Sequence, residues 1–124
     1  MKLLFVLPLL GPSIVCAAFL QAQTYVQPTY NGCITQSNGS LGITFNNSCN
    51  ISLSVQFVPM NGTGLGGQSD VRPGGSQGTG FTNDDKRNSG GWELYICPTG
   101  YVAVDGSDRP VNQPGVNFQC KKLY

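Results

Sequence analysis

Histidine is absent from this 124-residue chain, and charge is scarce: 10% of its residues are Asp, Glu, Lys or Arg, against about 25% in an ordinary soluble domain. Without an imidazole there is no His-activated nucleophile. Nor does any side chain titrate near neutrality at its unperturbed pKa. No Cys-x-x-Cys pair occurs either, so a zinc site would lack both its usual ligand and its usual spacing. Basic residues adjoin one another only at Lys86-Arg87 and Lys121-Lys122. That excludes the phosphate-neutralising footprint of a nucleic-acid binder and the polybasic segment that draws a protein to anionic membranes. Beyond the N-terminus, no segment keeps a helical period over three turns.

The one long apolar run is N-terminal. Met1-Lys2 is followed by "LLFVLPLLG" and then by small residues. Pro8, Gly11, Pro12 and Ser13 interrupt the run before it reaches the roughly 20 residues of a membrane span. Residues 1–22 therefore read as a cleaved secretory signal, with cleavage after Ala18 or after Ala22. Residues 23–124 read as a single secreted domain. Loss of Lys2 leaves six basic residues against six acidic ones, and loss of Cys16 leaves Cys33, Cys49, Cys97 and Cys120. Four cysteines in a short exported chain predict two disulfides. We favour Cys33–Cys49 and Cys97–Cys120, because each closes a local loop around a predicted strand pair. Sequence alone leaves the other two pairings open.

Strand patterns fill most of the remainder. In "NISLSVQFV", residues 50–58, Ile51, Leu53, Val55 and Phe57 share one face, while Ser52, Ser54 and Gln56 share the other. This alternation predicts a strand with one buried and one wet face. "LGITF" precedes it across the turn residues "NNSC", which predicts a hairpin. Trp92, Leu94 and Ile96 alternate with Glu93, Tyr95 and Cys97, and after "CPTG" the run "YVAVD" alternates again. A second hairpin, 92–96 against 101–104, is expected. Val116, Phe118 and Cys120 share a face. "TYVQPTY" reads as an edge strand, with Pro28 barring it from a sheet centre. The fold class is all-β: a small antiparallel β-sandwich, or a partly open barrel, stapled by two disulfides.

Residues 61–91 contain ten glycines and read as a long Gly-rich loop. Within it, "SDVR" and "SQGTGF" around "PGG" suggest a short hairpin, and "NDDKRN" a solvated tip. "GTGLGG", residues 62–67, matches the dinucleotide-binding glycine pattern. Pro73 and two glycines follow where that motif needs a helix, so no cofactor is expected.

Carboxylates are the remaining catalytic candidates: Asp84 with Asp85, Asp105 with Asp108, and Glu93 with Asp105 across the second hairpin. All are expected to be surface charges, so an enzyme is not expected. Asn38, Asn46, Asn50 and Asn61 each begin an N-x-S/T sequon and are candidate N-glycosylation sites. Trp92 belongs with Leu94 and Ile96 in the core. Tyr95 and Tyr101 fall on the opposite face and are the expected partner-binding rings. The reading that follows is a small secreted, non-enzymatic binding protein of the effector, inhibitor or adhesion type. Its partner would be an extracellular protein or carbohydrate. The alternative is a self-associating subunit of an extracellular filament, coat or matrix.

Overall fold

A computed structural model describes residues 24–63 and 65–123. The predicted signal, both of its cleavage positions and Cys16 lie outside the described residues. The chain is almost entirely β. Its strands are β1 (Tyr25–Val26), β2 (Ile34–Gly39), β3 (Gly42–Asn47), β4 (Leu53–Pro59), β5 (Gly67–Val71), β6 (Ser76–Gly78), β7 (Trp92–Pro98), β8 (Tyr101–Val104) and β9 (Gln119–Lys122). One 3-10 turn (Asn31–Cys33) and one helix, α1 (Asn83–Asn88), complete the described elements. The strands form three antiparallel sheets, ordered β2-β3-β6, β5-β4-β7 and β1-β9-β8.

The sheet β5-β4-β7 is the middle layer. Leu53, Val55 and Phe57 of β4, with Trp92 and Ile96 of β7, pack onto Ile43 and Phe45 of β3. The opposite face of the same strands contributes Val58, Tyr95 and Cys97 to a second core with Ala103, Val111 and Cys120. The expected wet face of β4 is therefore not wet: Ser54 is buried and Gln56 half-buried. Their polar groups are matched rather than exposed. Gln68 Nε2 donates to Ser54 Oγ at 2.6 Å, and Gln56 Nε2 donates to the Val111 carbonyl. A polar residue can face a neighbouring sheet at little cost when its hydrogen bonds are met there.

Both predicted hairpins are corrected. β3 pairs with β2 and β6, while β4 pairs with β5 and β7. Likewise β7 pairs with β4, and β8 with β9. In each case the turn is present, but the chain uses it to pass from one sheet to the next. The same holds within residues 61–91. β5 and β6 flank the 72–75 turn, where Gly75 N donates to Arg72 O at 3.0 Å. They then join different sheets instead of each other. Glycine in this segment serves close packing. A Cβ on Gly66 would lie 2.6 Å from the Phe57 carbonyl oxygen. "NDDKRN" forms α1, and none of its residues is buried, in keeping with a solvated tip. Thr82 and Asp85 form a reciprocal capping box, with Asp85 N to Thr82 Oγ1 at 3.1 Å and Thr82 N to Asp85 Oδ2 at 2.8 Å.

Two disulfides join the pairs favoured from sequence, Cys33–Cys49 and Cys97–Cys120. The first flanks the inner core. The second ties β7 of the middle sheet to β9 of the third. β1 is an edge strand on β9, as "TYVQPTY" suggested. No described helix is long and apolar enough to cross a membrane.

Candidate functional site

The expected tyrosine surface does not form. Tyr95 is 2% exposed because the third sheet covers its face of β7, and Tyr101, on β8 of that third sheet, is half-buried against the same core. The Tyr95 ring meets Phe118 edge-on at 4.9 Å. Its hydroxyl donates to the Gln113 carbonyl at 2.8 Å, accepts from Val116 N at 3.2 Å and lies 3.2 Å from Glu93 Oε2. Burial, foremost, pushes this phenol's pKa up. Tyr95 is a tie between the middle sheet and the 110–118 segment, not a contact surface. Trp92 is core, as expected. It packs 4.5 Å from Phe57, and its Nε1 donates to the Leu65 carbonyl at 2.9 Å.

The candidate carboxylates each have a partner within the fold. Glu93 Oε2 accepts from Gly115 N, and Asp85 caps α1. Asp84 makes an exposed ion pair with Arg87 at 2.7 Å. Asp105 Oδ1 accepts from Ser107 N at 2.8 Å and from Arg109 N at 3.0 Å, folding the 105–110 loop onto itself.

That loop and β1 border an open cleft of about 510 Å³. Tyr25, Gln27, Asp105, Asp108, Asn117 and Phe118 are among its walls. The volume is within the usual range for small-ligand sites. Asp108 is the only described non-glycine residue with positive φ, at 65°. Asp tolerates that left-handed region better than most residues. The turn carries the Asp108 carboxylate to the cleft wall, where Tyr25 Oη donates to Oδ1 at 2.9 Å and Lys121 Nζ meets Oδ2. Hydrogen bonds from Lys121 and then Tyr25 hold the Asp108 pKa below its ordinary value. The bond to Asp108 raises both Tyr25 and Lys121. At neutral pH Asp108 is thus an ionised acceptor and a poor proton donor. A second open hollow, about 640 Å³, also borders Asp105 and is lined by Arg109, Asn112, Gln113 and Val116 among others.

Alternation could have found part of this cleft. If Val116, Phe118 and Cys120 point inward, Asn117 and Gln119 point out, and Gln119 also lines the cleft. The contribution of Tyr25 depends on β1 pairing with β9, a contact between the two ends of the domain that no local pattern reveals.

The sequons differ in setting. Asn38, Asn50 and Asn61 are exposed and Asn46 is half-buried. Asn46 sits mid-strand, donating to Ser37 Oγ at 3.1 Å and accepting from Ser76 Oγ at 2.6 Å. Asn61 accepts from Thr63 N at 2.9 Å and donates to the Asn88 carbonyl at 3.1 Å. No group of three or more potential metal ligands occurs among the described residues. Searches of protein-family models, curated proteins and solved structures found no match to this chain.

Proposed function

We propose that this protein is secreted and acts outside the cell as a non-enzymatic binding protein for a glycan. The cleft beneath β1 carries that reading. It offers two aromatic rings, Tyr25 and Phe118, beside the amides of Gln27, Asn117 and Gln119 and the acceptors of Asp105 and Asp108. Sugar hydroxyls both donate and accept, which amides and carboxylates match, and the apolar faces of sugars stack on rings. The low pKa of Asp108 suits an acceptor of hydroxyl protons better than an acid catalyst. Two disulfides suit an oxidising compartment. The exposed sequons at Asn38, Asn50 and Asn61 would carry glycans in a eukaryotic secretory pathway.

Glycan-array screening followed by calorimetry tests the reading. Tyr25→Ala and Asn117→Ala should each weaken the detected ligand about tenfold, equivalent to about 1.4 kcal/mol of binding energy. A folded protein that binds no glycan on the array would overturn it. So would affinity unchanged in both variants, which would put the ligand elsewhere.

A further inference from the structure

Proteins with exposed sheet edges guard them with short strands, charge, proline or a bulge. Most edges of this fold are guarded. β1 has two residues and β6 three. Pro110 bridges to Val104, and Val111 N donates to Ala103 O at 3.0 Å, which covers β8. β7 lies against β8 and is tied to β9 by the Cys97–Cys120 disulfide. β5 carries Asp70 and runs into Arg72-Pro73.

β2 has none of these guards. Its six residues, "ITQSNG", contain no charge and no proline, and all six pair with β3 in one unbroken register. From Thr35 onward every residue is exposed. The register also identifies its open backbone groups. On β3, Ile43 N donates to Phe81 O at 2.8 Å and Asn47 N to Gly75 O at 2.9 Å, so the odd-numbered residues of β3 bond toward β6. The even ones, Gly42, Thr44 and Asn46, therefore bond toward β2, opposite Gly39, Ser37 and Thr35. This leaves the N–H and C=O groups of Ile34, Gln36 and Asn38 facing outward.

We propose that this edge pairs with β2 of a second copy of the chain, antiparallel, about a twofold axis at Gln36. In that register Gln36 lies opposite the same residue of the second copy, and Ile34 lies opposite Asn38. All three open residues then exchange both of their hydrogen bonds. A second copy fits better than a charged peptide because the strand offers no charge to pair with, and the chain's formal net charge is only +1. The nearest cation, Lys86, is held by Gln36 Oε1 at 2.7 Å. Such a contact is isologous, so it closes into a dimer and does not propagate into a filament. It uses no residue of the cleft under β1, stands independently of the glycan-binding reading, and applies to the chain whose Asn38, in β2, carries no glycan.

The test is sedimentation equilibrium of the disulfide-intact protein, freed of N-glycans, across a concentration series. A reversible dimer is expected. Gln36→Pro removes an outward-facing N–H and the exposed bond from Lys86, at an edge-strand position where proline is tolerated. Gln36→Lys adds a like charge on each side of the axis. Both variants should remain folded by near-UV circular dichroism, and each should raise the dimer dissociation constant at least about tenfold. A wild-type protein that stays monomeric at its highest soluble concentration overturns the proposal. So does a dimer that survives unchanged in Gln36→Lys.

Discussion

Single buried polar side chains hold several layers of this molecule together. Asn47, 3% exposed, donates to the carbonyls of Ile51, Val71 and Arg72 at 2.8–3.2 Å and accepts from Cys49 N at 3.0 Å. One amide thus joins β3, β5 and the loop of the first disulfide. Asn47→Ala would leave those buried backbone groups short of partners and should cost about 2–3 kcal/mol in urea-unfolding free energy. Tyr95→Phe is a milder version of the same experiment. The ring stays on Phe118 while the bonds to Gln113 and Val116 go, so a loss of about 1–2 kcal/mol is expected by the same measurement. Both residues were visible in the sequence, but their roles were not. Asn47 reads as a turn asparagine beside a cysteine, and Tyr95 as an outward ring. Each role depends on a distant segment arriving at the right place.

At the scale of elements, alternation located β3, β4, β7 and β8 because a half-buried strand imposes a two-residue period whichever strand lies beside it. Partners were not legible for the same reason: the period says which face is buried, not which neighbour bonds. The helix α1 was missed although Thr82 and Asp85 already have capping-box spacing. Six residues are too few to display a 3.6-residue period. The shortest strand, β1, gains support outside its ladder from Tyr25, Asp108 and Lys121, and this predicts a pH dependence. Asp108 has a folded pKa below its ordinary value of 3.8. Its stabilising contribution is therefore present above that value and is lost as pH falls through the lower folded one. Lys121 and Tyr25, both raised, contribute below their ordinary values of 10.5 and 10.0, and lose that contribution as pH rises through the folded ones. Asp108→Asn suits the same left-handed backbone and removes the charge. Thermal melts from about pH 5 to pH 2 should fall more steeply for the wild type than for this variant. Parallel curves would show that the Asp108 contacts contribute nothing to stability.

At the scale of the whole molecule, three sheets around two separate cores imply two units of unequal strength. The inner core spans β3, β4, β5 and β7, and includes Phe45, Leu53, Val55 and Val71, all with no exposure. Phe57, Phe81 and Trp92 add mutual ring contacts at 4.5–6.0 Å. The outer core is smaller and draws on short strands and the 110–118 segment. Its firmest link to the middle sheet is Cys97–Cys120, which closes a separation of 23 residues; Cys33–Cys49 closes 16. Chain entropy gives the two bonds similar nominal worth, about 3 kcal/mol each, since the dependence on loop length is logarithmic. Their structural consequences should nevertheless differ. Replacing Cys97 and Cys120 by Ala frees a sheet with little core of its own, so β1, β8 and β9 should loosen while the inner core persists. Hydrogen exchange should then show residues 101–122 losing protection well before residues 43–57. Replacing Cys33 and Cys49 instead weakens the core on which both outer sheets rest, and protection should fall in all three together. If the Cys97 and Cys120 replacement also lowers protection uniformly, the molecule is one cooperative unit, and the cleft under β1 is as rigid as the core behind it. If the third sheet loosens alone, the cleft lies on the more pliable part of the fold, where ligand binding should restore the lost protection by mass action.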